Sequence, residues 1–214
     1  MSRLVTFGCS NTKGDGLPDT YDKVKKQTPH WTKPSIHAWP SILANKLEYE
    51  CLNLAVSGAS NKHICNIALN TQFKESDTVI FLWTYFSRSC LFQDKGVEPS
   101  RIMLQDTEVF PRKRKWILNY YKNYYTETDA IIDAYARMNL AKQFLDNKGI
   151  KNYHSTCHES HDIKNIKPPL WNNVELLDIG YYHHPDKALD QSHPGLESHI
   201  RISNNLYNII KENK

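Results

Sequence analysis

The segment Thr78-Val79-Ile80-Phe81-Leu82-Trp83 constrains this chain more than any other. It carries no charge, and β-branched and aromatic side chains dominate it. Such a run is buried on both faces, as central strands of parallel sheets are. Its apolar part is far too short to span a bilayer. Two shorter runs of the same kind, at 4–7 and 51–56, predict companion strands, and 150–154 predicts a fourth. A short strand is also expected at 174–177. Helical spacing separates these strands, at 38–47, 64–69, 112–125 and 128–147, with a last helix at 195–211. Gly149 stands where the C-cap of the fourth helix belongs.

Strands alternating with helices predict an α/β fold: a three-layer α/β/α sandwich with a mostly parallel, flavodoxin-like sheet of four to five strands. At 214 residues the chain is sized for one such domain. No internal repeat or boundary divides it. A loop insertion is expected at about 13–37 and a loop-rich region at about 155–192.

Composition excludes several classes. Hydrophobic residues make up 40% and charged residues 23%, ordinary for a globular protein. The formal net charge is only +4, and the one dense basic cluster is Arg112-Lys113-Arg114-Lys115. A nucleic-acid footprint needs a broader basic face, so the cluster reads as a solvated helix start. The tyrosine-rich run around residue 120 reads as amphipathic packing, with a sugar-binding surface as its alternative. The five cysteines are odd in number and follow no framework spacing. With no signal peptide or membrane span at hand, a reducing, cytoplasmic setting is expected, and virion association, as in a phage protein, is the alternative. Oligomeric state is not readable.

In a parallel sheet, ligands bind beyond the carboxyl ends of the strands. Turn clusters follow three strands here, at 8–11, 57–61 and 83–87, and topology turns all three toward one crevice. Ser10 lies in the first. A serine hydroxyl needs a base to take its proton, and histidine is the usual one. The segment Asp190-Gln191-Ser192-His193-Pro194-Gly195 offers a base and its orienter three residues apart on a turn leading into a helix.

These residues resemble the blocks of the SGNH hydrolases, the superfamily of the GDSL esterases and lipases. Gly8-Cys9-Ser10 matches the first block, Asn53 to Gly58 the second, and Asp190-Gln191-Ser192-His193-Pro194 the last. The resemblance implies Ser10 as nucleophile, His193 as general base and Asp190 as its orienter. It also implies an oxyanion hole from the backbone N–H groups of Ser10 and Gly58. The third block departs from the pattern. Trp83-Thr84-Tyr85-Phe86 lacks the usual asparagine, and Asn61 is the preferred replacement over a Thr84 or Tyr85 hydroxyl. The implied activity is hydrolysis of short acyl esters, such as O-acetyl groups on carbohydrates, without cofactor or metal.

Three other readings compete. A binding module could keep the fold without the chemistry. His154, Cys157, His158 and His161, with His183 and His184 nearby, could hold zinc, though their spacing matches no structural zinc motif. Cys9 could act as a thiol nucleophile, but a neighbour of the turn's outward residue points elsewhere.

Overall fold

The computed structural model describes residues 2–29, 31–92, 99–104, 111–158, 172–181 and 184–212. In chain order the elements are β1 (Arg3–Phe7), α1 (Ser10–Lys13), α2 (Trp39–Leu47), β2 (Glu50–Asn53), α3 (Asn61–Leu69) and β3 (Thr78–Trp83). They continue with β4 (Ser89–Leu91), β5 (Ser100–Ile102), α4 (Pro111–Asn123), α5 (Glu127–Asp146), β6 (Lys151–Thr156) and α6 (Leu196–Glu212).

The main sheet has the order β2-β1-β3-β6 and is parallel throughout. Every residue of β3 is buried, as its uncharged sequence demands. The connection β1-α2-β2 steps one way across the sheet, and β2-α3-β3 and β3-α5-β6 step the other way. Right-handed crossovers then place α2 on one face and α3 with α5 on the other. Helix α6 packs on α2, and α3 packs on α5, which completes three layers. The strand order reverses between β1 and β3, so the crevice of this fold opens beyond the carboxyl end of β1.

The core runs across the sheet as a row of flat rings. Phe7 stacks on Phe81 at 5.0 Å, and Phe81 stacks on Trp83 at 4.7 Å and on His154 at 4.9 Å. His154 belongs to this core. Its Nδ1 accepts a hydrogen bond from Trp83 Nε1 at 3.0 Å, and its Nε2 lies 2.9 Å from Asn152 Oδ1. Burial pushes its pKa down to about 3, which keeps the ring neutral.

Two local expectations are corrected. The stretch between the third strand and the helix expected from 112, where the sequence predicts no element, contains the antiparallel ribbon β4–β5. Its three-residue strands are too short to leave a period-2 signal. The strand expected at 174–177 does not form. That segment runs beside β6 on isolated bonds, Leu177 N–H to the His154 carbonyl and Ser155 Oγ to the Leu177 carbonyl. Among the described residues the main sheet therefore has four strands. The stretch 14–29 carries no helix and only the bridge between Asp22 and Gln27.

Candidate functional site

Ser10 begins α1 directly after β1, at the switch point of the sheet. Cys9 is the N-cap, with an extended backbone. Ser10 is the first helical residue, so its own N–H lacks an intrahelical acceptor and points out of the helix start. The helix lasts one turn and stops at Gly14, whose φ is +85°. Cys9 itself is fully buried in the core cluster, which takes its thiol out of the crevice.

The chain then doubles back as Gly14-Asp15-Gly16, and this turn meets the C-terminal loop. Leu189 N–H donates to the Gly16 carbonyl at 3.0 Å. Gly16 has φ +82°, and a Cβ there would lie 2.6 Å from Asp190 Oδ2. Only glycine lets the two segments approach so closely.

Residues 186–195 form a tight loop ahead of α6. Ala188 N–H bonds to the His193 carbonyl at 2.9 Å, Gly195 N–H to the Asp186 carbonyl at 3.2 Å, and Gln191 takes φ +60° at the tip. The Asp186 carboxylate receives the backbone N–H groups of Glu197 and Ser198 and the Ser198 hydroxyl. It thereby satisfies donors that the helix start leaves open. The loop is a rigid mount rather than a loose connection.

On this mount Asp190 Oδ2 lies 2.6 Å from His193 Nδ1, and Asp190 Oδ1 accepts the His193 backbone N–H at 3.1 Å. Ser192 Oγ is 3.2 Å from the same Nδ1. Burial disfavours charge on both groups, but their mutual contact outweighs it. The Asp190 pKa falls to about 2, and that of His193 rises above its ordinary 6.5. Asp15 and Cys9 also favour the charged form of His193. Among the described residues no hydrogen bond joins Ser10 to His193. The structure thus brings Asp190 and His193 into direct contact and sets Asp190 against the turn that follows Ser10.

The second turn, 57–60, leads into α3. Gly58 has φ +71°, and a Cβ there would lie 2.4 Å from Arg101 Nη1. Ser60 caps α3 by accepting the His63 N–H. Asn61 is 3% exposed. Its Oδ1 accepts the Thr84 N–H at 2.8 Å, and its Nδ2 donates to the Thr84 carbonyl at 3.1 Å. This double bond pattern ties the start of α3 to the end of β3.

Three residues near the site gave no clear sequence signal. Lys13 Nζ donates to Ser57 Oγ at 3.3 Å and lies 3.8 Å from Asp15 Oδ1. Asp15 is buried, and its pKa is pushed up by that burial, although Ser57 and the charges of Lys13 and His193 act to lower it. Arg101 donates from Nη1 to the Ser57 carbonyl at 3.2 Å. The Gly-Asp-Gly triplet at 14–16 was the one available hint, since paired glycines mark a forced turn.

The histidine-rich segment divides. His154 has both ring nitrogens engaged in the core. His158 Nε2 accepts the Phe86 N–H at 3.0 Å, and Cys157 Sγ accepts from Asn11 Nδ2 at 3.7 Å. His161 and His183 lie outside the described residues. Among the described residues no three metal-binding side chains converge, and no helix is long and apolar enough to cross a membrane.

No protein-family model matches the chain, and no curated protein matches it in sequence. Solved structures do match. One is a carbohydrate esterase whose active site displays divergent catalytic and non-catalytic binding functions. It is 13% identical with a TM-score of 0.55, over 98% of this chain and 65% of that one. Another is the acetyl xylan esterase Est2A from the rumen bacterium Butyrivibrio proteoclasticus, 13% identical with a TM-score of 0.51, over 99% of this chain and 63% of that one. The chain spans about 65% of the length of the first of these and 63% of the second. At this identity the match shows the fold alone: an α/β sandwich, with a parallel four-stranded sheet between helices, shared with these two esterases.

Proposed function

We propose that this chain is a serine-dependent carboxylic-ester hydrolase that works through an acyl-enzyme on Ser10. The observation that carries this reading is the Asp190–His193 contact at 2.6 Å, mounted against the turn that follows Ser10 at the switch point of the sheet. The shared fold with carbohydrate esterases supports it, and favours short acyl esters such as O-acetyl groups on carbohydrates as substrates.

Asp190 occupies His193 Nδ1, so Nε2 is the nitrogen left to take a proton. Ser10 Oγ attacks the ester carbonyl carbon as its proton moves to Nε2, and the carbonyl electron pair moves onto oxygen. The Ser10 and Gly58 N–H groups receive that oxyanion. Asn61 joins them through the second hydrogen of its Nδ2, the first being held by Thr84. Collapse expels the alcohol, which takes the proton from His193. A water molecule, deprotonated by the same nitrogen, then attacks the acyl carbon; the bond to Ser10 Oγ breaks, Oγ takes the proton back from His193, and the acid leaves. The Ser10–His193 bond closes when substrate orders the site, since catalytic hydrogen bonds are often long in unliganded proteins.

Turnover of p-nitrophenyl acetate by wild type and by Ser10→Ala tests the assignment. Wild type is expected to turn over the ester and to label with a fluorophosphonate at Ser10. Equal rates in the two proteins would sink it. The open Ser10–His193 contact motivates a second reading, a binding module on the same fold. Folded wild type that refuses the label at neutral pH would favour that module.

A further inference from the structure

The proposed oxyanion donor at Gly58 belongs to a peptide bond with an unusual neighbour. The Ser57 carbonyl and the Gly58 N–H are two ends of one conjugated unit. Arg101 Nη1 donates to that carbonyl at 3.2 Å. Its guanidinium also lies against the Gly58 Cα, where a side chain would have to displace it. From the other side Lys13 Nζ donates to Ser57 Oγ at 3.3 Å. Two cations thus grip one residue, Ser57, in the turn that presents Gly58.

A cation on a peptide oxygen draws electron density from the nitrogen and makes its N–H a stronger donor, as coupled hydrogen bonds polarise one another. The bond to a charged guanidinium is also stronger than a neutral one. Arg101 comes from β5, in the ribbon that follows β3. The stretch directly after β3, Trp83 to Phe86, is where the asparagine of the resembled family is missing.

We propose that Arg101 is a positioning residue for the oxyanion hole: it polarises and fixes the Ser57–Gly58 peptide, with Lys13 as the second clamp, and so compensates for the missing asparagine. This rests on the ester-hydrolase reading above. Removing a whole oxyanion donor costs roughly a hundred- to thousandfold in rate, and weakening one should cost less, about tenfold.

The test uses p-nitrophenyl acetate kinetics on wild type, Arg101→Ala and Arg101→Lys, with circular dichroism to confirm folding. Arg101→Ala should lose about tenfold in kcat with KM nearly unchanged, since the effect lies in the transition state. Arg101→Lys should keep most of the rate, and guanidinium ion at sub-denaturing concentration should partly restore Arg101→Ala. The Gly58 amide proton resonance should move upfield in Arg101→Ala, whatever the activity. If Arg101→Ala does not fold, Arg101→Gln takes its place with the same expectations. A wild type that neither turns over nor labels at Ser10 overturns both readings. An active wild type whose folded Arg101→Ala keeps kcat within twofold overturns this inference alone. So does an equal loss in Arg101→Lys without guanidinium rescue, because charge would then not be what acts.

Discussion

His193 Nδ1 lies 2.6 Å from Asp190 Oδ2, and the same carboxylate accepts the backbone N–H of His193 through its other oxygen. Asp190 therefore fixes both the ring and the peptide that carries it. Burial alone would lower the His193 pKa, but the Asp190 contact raises it above 6.5. A general base works only when neutral, so kcat/KM should rise with pH through an apparent pKa above 6.5. In Asp190→Asn the contact that raises the pKa is lost and burial prevails. The apparent pKa should fall, and the plateau rate should drop by roughly three to four orders of magnitude. A pH–rate profile that is superimposable for the two proteins would refute the assigned role.

The same pair makes a prediction about stability, with opposite signs for its members. The Asp190 pKa is depressed from 3.8 to about 2. Its contribution is present above 3.8 and lost as pH falls toward about 2. The His193 pKa is raised, so its contribution is fully present below 6.5 and lost as pH rises through the folded value. Thermal unfolding of wild type minus Asp190→Asn should therefore show its largest Tm difference between about pH 4 and 6.5. A difference that does not vary with pH would count against the linkage.

Gly16 supports Asp190 by leaving room for it. Gly16→Ala would put a methyl 2.6 Å from Asp190 Oδ2 and would strain a backbone held at φ +82°. The backbone strain should cost about 1 kcal/mol. The displaced carboxylate should matter more, lowering kcat at least tenfold while the fold persists. Kinetics and a Tm measurement on the one variant separate the two effects. Unchanged kcat alongside a lowered Tm would show that the close approach serves packing only.

Legibility followed the range of the forces involved. The strands could be read because burial on both faces leaves an unbroken apolar run, as in β3. The Asp190–His193 contact could be anticipated because three residues on one turn bring the side chains together locally. Arg101 reaches Ser57 from 44 positions away, and no local pattern encodes that approach. Asn61 was legible by position but not by environment. Its bonds to Thr84 depend on how α3 docks against the end of β3. His154 stood in a run of histidines that invites a metal reading. Its neighbours Trp83 and Asn152 give it a core role that only strand register discloses.

That core role is testable. His154 accepts the buried Trp83 Nε1–H, and its pKa is pushed down to about 3 by burial. A depressed histidine contributes stability in full above its unfolded value near 6.5, and loses it as pH falls toward about 3, because only the unfolded chain then takes the proton. His154→Leu leaves the indole N–H unsatisfied, at a cost of about 1–3 kcal/mol at pH 7. It should also flatten the decline in stability between pH 6.5 and 4. Urea unfolding at several pH values checks both, and an unaltered slope would show that His154 is not the group responsible.

Asn61 joins two elements through one side chain, with Oδ1 on the Thr84 N–H and Nδ2 on the Thr84 carbonyl. Asn61→Asp keeps the shape but replaces a donor with an acceptor, so a carboxylate oxygen would face the Thr84 carbonyl. The residue is 3% exposed, and an unpaired buried polar contact of this kind costs about 1–3 kcal/mol, more with charge. Asn61→Ala removes both bonds and leaves two backbone groups unpaired. Both variants should lower Tm. If the second Nδ2 hydrogen also serves the oxyanion, both should in addition lose about a hundredfold in kcat with little change in KM. Assays below the lowered Tm keep the two effects apart: a Tm loss with full kcat confines Asn61 to holding Thr84, and leaves the oxyanion to the Ser10 and Gly58 N–H groups.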